Sequence, residues 1–281
     1  MRGRIGWSAA MIAAAFALSA AGCGGDGDEA AAPTEPAAEG PITIGWAHDA
    51  SGQMAPFDGP ALAAARLEGR IPEAILMTVQ NGLGAEEIVR RHGDWRLLSA
   101  VTFMSGTRHS DTQVEYVLDT ETWLGPYGDT PPELAEETAR LIGAAGRKAR
   151  AFADLRPAQW SKLIFNATVN GVAALTGLPH DFHFAEGELG ELVHALVDEG
   201  KRVADAAGIE LHDDPWEMNV LATRRGSAHH PSMLEDVRAG RPTEVELING
   251  ALVQEGGRLA VPTPLHQALY ALVKAREASH S

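Results

Sequence analysis

Strand-like patterns stop at Pro157, and everything after that point repeats at helical spacing. Ahead of it, Ala74-Ile75-Leu76-Met77-Thr78-Val79 is a continuous apolar run, suited to a strand buried on both faces. The run ends in Gln80-Asn81-Gly82-Leu83-Gly84, a turn leading into a helix near Ala85 to Arg91. Leu97 to Met104 reads as a second strand, and 113–118 and 122–124 as strands of an antiparallel edge. A helix over 132–145 and a short strand over 148–152 follow. Beyond Pro157 the periodicity predicts helices at about 157–175, 187–207, 214–225, 232–239, 243–259 and 263–277. Pro215, Pro242 and Pro264 stand near helix starts, where a missing N–H costs little, and Thr263 is placed to cap the last helix. The expected layout is a partial α/β layer over about 71–155, then an all-helical domain over 156–281.

The N-terminal segment has a different character. Residues 1–23 read as a targeting segment: Arg2 and Arg4, then an apolar run from Met11 to Ala21 too short to span a bilayer, then Ala20-Ala21-Gly22-Cys23. This end resembles a bacterial lipoprotein cleavage box with Cys23 as the lipidated residue. Residues 24–40, rich in Ala, Pro, Gly and acid, read as a flexible tether. Over 41–70 come a short strand, Ile42-Thr43-Ile44-Gly45, a polar loop, and an Ala-rich helix at about 60–67. That stretch resembles the start of a type I periplasmic binding protein.

Charge and cysteine count narrow the partners. The net charge of −15 argues against nucleic acid and anionic membrane surfaces, though a pocket could still hold an anionic substrate with its own Lys or Arg. A single cysteine leaves no internal disulfide and no cysteine metal cluster. The only close histidine pairs, His229-His230 and His180/His183, bring no third ligand at a recognisable spacing, so no metal is expected.

The helix at 157–175 carries the chemistry. Lys162, Asn166 and Asn170 recur every fourth residue, drift about 40° per step, and so form one stripe. Asn is a poor interior helix residue, and the neighbours here are apolar or small. The stripe is either a polar wall facing a pocket or a solvated face. Glu244 falls in the first turn of a later helix, where an acid is often only a dipole partner.

Three segments together resemble the ketopantoate reductase family from about residue 71 to the end. They are Gln80-Asn81-Gly82-Leu83-Gly84, the helix run from Lys162 through Asn166 to Asn170, and Ser232-Met233-Leu234-Glu235-Asp236 with Arg241-Pro242-Thr243-Glu244 and Asn249-Gly250. The resemblance implies a Rossmann-like layer followed by a helical domain of the 6-phosphogluconate dehydrogenase C-terminal-like type. It implies NADPH-dependent reduction of ketopantoate (2-dehydropantoate), a small 2-oxo acid, to pantoate in pantothenate biosynthesis, and a homodimer. It assigns Lys162 as general acid, Asn166 and Asn170 as residues holding the substrate, Ser232 to its carboxylate, Glu244 to its hydroxyl, and Asn81 to a place near the nicotinamide.

The front of that family is missing from the pattern. The only G-x-G-x-x-G is Gly22 to Gly27, which leads into the tether rather than a helix and is rejected as a nucleotide site. A βαβαβ half takes on the order of 60–80 residues, whereas 41–73 has room for one strand and one helix, so the sheet is expected to be incomplete with exposed edges. Arg66 and Arg70 are candidates for a 2′-phosphate by position only. The resemblance implies a cytoplasmic enzyme and the lipoprotein-like start a membrane-anchored one. A composite chain, joined near 67–73, accounts for both. The competing readings are a reductase remnant without catalysis and a lipid-anchored solute-binding protein.

Overall fold

The computed structural model describes residues 75–279, apart from 92, 111, 112, 119 and 225–229. The targeting and tether segments with Cys23, the strand and helix expected over 41–70, the Gly22–Gly27 motif, Arg66, Arg70 and His229 lie outside the described residues.

Four strands form the main sheet: β1 (Ile75–Thr78), β2 (Arg96–Thr102), β5 (Thr122–Pro126) and β6 (Ala149–Ala151), in the order β1-β2-β5-β6. β1 runs parallel to β2, with Thr78 opposite Ser99; β2 and β5 are antiparallel, with Ala100 opposite Leu124; β5 and β6 are parallel. β3 (Ser105–Ser110) and β4 (Gln113–Leu118) form a separate antiparallel pair. Two expectations are corrected here. The strand at 122–126 is interior rather than part of an edge, because β6 pairs along its far side. The apolar run at β1 is not buried on both faces: Ile75, Leu76 and Met77 are half-buried, and among the described residues β1 is one of the two edge strands. Among the described residues the main sheet has these four strands. Helices α1 (Ala85–Arg90) and α2 (Pro132–Ala144) accompany it, and Leu98, Ala100 and Leu124 pack with Ala135 of α2.

From Arg156 onward the chain is helical. α3 (Arg156–Thr176) carries Pro157 in its first turn and ends at Gly177, whose φ of 72° gives the left-handed cap. It is the central helix, packed against α4 (Gly187–Ala206), α5 (Pro215–Arg224), α6 (Ser232–Arg238) and α8 (Pro264–Ala278). Leu163, Ile164 and Ala167 are fully or almost fully buried among Val197, Val245, Ile248 and Leu252. At about 1.5–3 kcal/mol for each large aliphatic side chain buried, this face alone fixes the helix. The helix expected over 243–259 is in two parts: a π-helical turn (Glu246–Gly250), in which Gly250 N–H donates five residues back to the Val245 carbonyl at 2.8 Å, and then α7 (Ala251–Arg258). Thr263 occupies the cap position of α8 but makes no side-chain cap; Glu199 of α4 accepts from Leu265 N–H at 3.2 Å and His266 N–H at 2.9 Å instead. No helix among the described residues is long and apolar enough to cross a membrane.

Candidate active site

The turn after β1 is pressed against the π-helical turn. Gly82 and Gly84 have φ of 90° and 100°, and a Cβ on Gly82 would lie 2.0 Å from the Leu247 carbonyl oxygen. Only glycine fits there. The next residue, Leu83, donates its N–H to that same carbonyl at 2.9 Å. Sheet layer and helical body are therefore joined through backbone at this point, and the join aims Asn81. Its Nδ2 donates to Glu244 Oε2 at 2.9 Å, and its Oδ1 accepts a long contact from Asn166 Nδ2 at 3.5 Å.

Lys162 reaches into the same place from α3. Its Nζ donates to the Thr102 carbonyl, at the end of β2, at 2.5 Å, and lies 5.3 Å from the centroid of the Phe103 ring. Burial lowers the Lys162 pKa from 10.5 to about 8, against the pull of the Glu244 charge, which raises it. Burial likewise lifts the Glu244 carboxyl above its usual range, while the Asn81 hydrogen bond and the Lys162 charge draw it down. Desolvation outweighs the mutual attraction for both, so burial draws each partner toward its neutral form.

The helix stripe faces inward. Asn166 and Asn170 are 7% and 6% exposed, which excludes the solvated-face alternative. Lys162, Asn166, Asn81 and Glu244 come together; Asn170 lies one turn further along the stripe. Ser232 stands apart: it opens α6, exposed, and no described hydrogen bond joins it to the cluster. His180 and His183 separate as well. His180 is buried with Nε2 2.8 Å from Asn219 Oδ1, whereas His183 is exposed and His230 lies 3.2 Å from Glu235.

A small cleft opens between the layers, lined by Gln80, Asn81, Gly82, Gln159, Lys162 and Leu163 among others. At about 10 Å³ it has room for about one water. Several residues here were not singled out from sequence. Gln159 continues the stripe one turn before Lys162, so extending the i, i+3, i+4 pattern backward finds it. Thr102 and Phe103 lie at the carboxyl end of a strand, where α/β sheets bind ligands. Asn249 donates to the Ala167 carbonyl at 2.7 Å, holding the π-helical turn against α3 one residue past Asn166; only its place in the third motif marked it.

The fit to a dinucleotide is one-sided. The described strand–glycine turn–helix, β1 to α1, is filled behind Gly82 by the Leu247 carbonyl and carries Glu86 and Glu87 in the first turn of α1. Neither feature suits a diphosphate, so this turn is not a site for the phosphates of NADPH.

Known protein families match both layers of the chain. Residues 60–129 match the family described as "Ketopantoate reductase PanE/ApbA", and residues 154–277 match "Ketopantoate reductase PanE/ApbA C terminal". The chain belongs to the ketopantoate reductase family. The family match starts at residue 60, ahead of the join expected at 67–73, and so takes in part of the stretch read as a binding-protein start. Nothing in the comparisons supports the lipoprotein or binding-protein resemblance. The 2-dehydropantoate 2-reductase of Archaeoglobus fulgidus is 28% identical over 207 residues, 74% of this chain and 69% of that protein. The crystal structure of 2-dehydropantoate 2-reductase from Methylococcus capsulatus superposes with a TM-score of 0.67 at 29% identity, covering 76% of this chain and 74% of that one. D-mandelate dehydrogenase, solved with NADH and anilino(oxo)acetate, shares the fold at a TM-score of 0.69 and 24% identity over 78% of this chain and 72% of its own. The fold is thus shared with an enzyme named for a different acid.

Proposed function

We propose that this chain takes part in the NADPH-dependent reduction of a 2-oxo acid, with ketopantoate the first candidate and pantoate the product. The observation that carries the reading is that Asn81 and Lys162 line one cleft between the layers, with Glu244 and Asn166 hydrogen-bonded to Asn81 beside it and the Glu244 charge acting on Lys162. NADPH, when bound, supplies hydride to C2 of the acid. The oxygen at C2 then takes up negative charge, and the Lys162 ammonium donates the proton that makes it a hydroxyl. Glu244 keeps that ammonium charged against burial and accepts from the new hydroxyl. Asn166 and Asn170 offer amide donors along the wall, and Asn81 orients Glu244 through its 2.9 Å bond. Ser232 is the proposed carboxylate contact, and its exposure means that the acid must reach out to α6 to meet it. The narrow cleft supports a further requirement: an entering acid displaces Lys162 Nζ from the Thr102 carbonyl or parts the layers.

The deciding experiment is a fluorescence titration of the purified chain with NADPH, followed by addition of ketopantoate and then of other branched or aryl 2-oxo acids. Saturable binding with substrate-dependent oxidation is the expected result. A folded sample that binds no NADPH would overturn the reading and favour a remnant that keeps only the substrate side. The glycine turn backed by Leu247 is the observation that favours this second reading.

A further inference from the structure

One buried carboxyl near the cleft is left over by the proposed reaction, and the inference drawn from it rests on that reading of the cleft. Glu86, in the first turn of α1, is 5% exposed. Its neighbour Glu87 is exposed and bonds the Tyr127 hydroxyl, as an ordinary helix-start acid does. Glu86 turns inward instead. Its Oε1 accepts from Thr78 Oγ1 at 2.7 Å, from Ser99 Oγ at 2.6 Å and, at 3.4 Å, from Gln159 Nε2. Taking a carboxyl out of water is costly unless such donors meet it, and a fully satisfied buried network fixes one geometry.

The identity of the three donors says what geometry is fixed. Thr78 and Glu86 bracket residues 79–85, so their bond closes, at its base, the loop that carries Asn81. Ser99 is the register partner of Thr78 on β2, which ties the base of the loop to the sheet. Gln159 lines the cleft one helical turn before Lys162. A single oxygen therefore gathers the end of β1, the middle of β2 and the start of α3, behind the place where Asn81 meets Asn166 and Glu244.

We propose that Glu86 is a positioning residue that clasps the 79–85 loop so that Asn81 faces Glu244 and Asn166. The test uses the full chain with Glu86→Ala, Glu86→Gln and Thr78→Val, the last removing only the donor at the base of the loop. The first readout needs neither cofactor nor turnover: the side-chain amide signal of Asn81 in 15N–1H spectra, assigned by its loss in Asn81→Ser. In Glu86→Ala that signal should shift and its hydrogen exchange accelerate at least about tenfold, with Glu86→Gln restoring most of the wild-type behaviour. If Glu86→Ala does not fold, Thr78→Val carries the same expectation. An unchanged Asn81 amide in a folded variant overturns the proposal. The second readout is ketopantoate binding by calorimetry, expected to weaken about 10–100-fold in Glu86→Ala, since misplacement of a positioned group by about 1 Å costs that much. Glu86→Ala should add less than about threefold when Asn81→Ala is already present; independent, multiplying losses would make Glu86 a mere fold staple. A wild-type chain that binds no 2-oxo acid would count against the reductase reading alone and leave the clasp to be decided by the Asn81 spectrum.

Discussion

Lys162 is the residue on which the proposed chemistry turns, and its pKa sets a pH limit. The protonated form is the proton donor, and burial brings its pKa down to about 8. Reduction should therefore fall as pH rises through about 8, as read from kcat/KM against pH. Glu244 opposes that lowering, so Glu244→Gln, which keeps an acceptor for Asn81 but removes the charge, should move the limb to lower pH. A limb that stays put would mean the two groups are not coupled. Lys162→Ala should lose on the order of 10²–10⁴ in kcat/KM, and a rate like the wild type would sink the role. Part of this was legible in the sequence: a lysine and two asparagines at four-residue spacing on an otherwise apolar helix form one polar stripe, either a pocket wall or a solvated face by pattern alone, and the burial of Asn166 and Asn170 decides for the inward side. Glu86 was not legible. An acid in the first turn of a helix is the commonest kind of solvated residue, and only its contacts to Thr78, Ser99 and Gln159 distinguish it from Glu87.

Two elements join the layers, and each has a single point of failure. The turn at 80–84 exists because Gly82 has a left-handed φ and lies against the Leu247 carbonyl. Gly82→Ala adds both backbone strain and a collision with backbone that cannot move aside. It should destabilise the chain by at least about 2 kcal/mol in urea unfolding, and abolish ketopantoate binding if that binding depends on Asn81. The start of α8 depends on a distant side chain: with Thr263 making no cap, Glu199 meets the N–H groups of Leu265 and His266. Glu199→Ala should cost at least the roughly 0.5–2 kcal/mol of an ordinary cap, measured by thermal unfolding; no change would mean that water replaces the carboxyl. Helix positions were read from periodicity to within a residue or two at α3, α4 and α8, because a long buried helix repeats its apolar face many times. The break at Glu246–Gly250 was not, since a π-helical turn keeps the same apolar residues and changes only their hydrogen-bond partners.

At the scale of the whole molecule, the helical body is held by a core containing a fully buried imidazole. His266 is fully buried, and burial lowers its pKa to about 4, while its hydrogen bond to the Leu196 carbonyl pulls the other way. An unfolded chain protonates this ring below about 6.5 and the folded one only near 4. Between those values the unfolded state binds more protons, so stability should fall as pH drops from 6.5 to 4, by up to about 3 kcal/mol. Urea midpoints across that range should show the loss, and His266→Leu should flatten the slope even if it lowers stability throughout. A slope unchanged by the substitution would assign the loss to other groups. The order of a sheet layer before a helical body was readable from where strand patterns stop. The half-burial of β1, an edge strand among the described residues, was not, because an apolar run records a tendency to be covered and not a strand's place in the sheet. The π-helical turn has a consequence for how such a chain can change over time. A turn of this kind holds one residue more than an α-helix closing the same gap, and one residue is worth about 100° of rotation. Loss of a single codon within Glu246–Gly250 would let the helix relax to ordinary winding, leave α7 and α8 in place, and swing Glu244 around the axis away from Asn81. Reading-frame-preserving deletions, and not only substitutions, are thus a route by which a relative of this chain could keep its fold and take Glu244 out of the cluster.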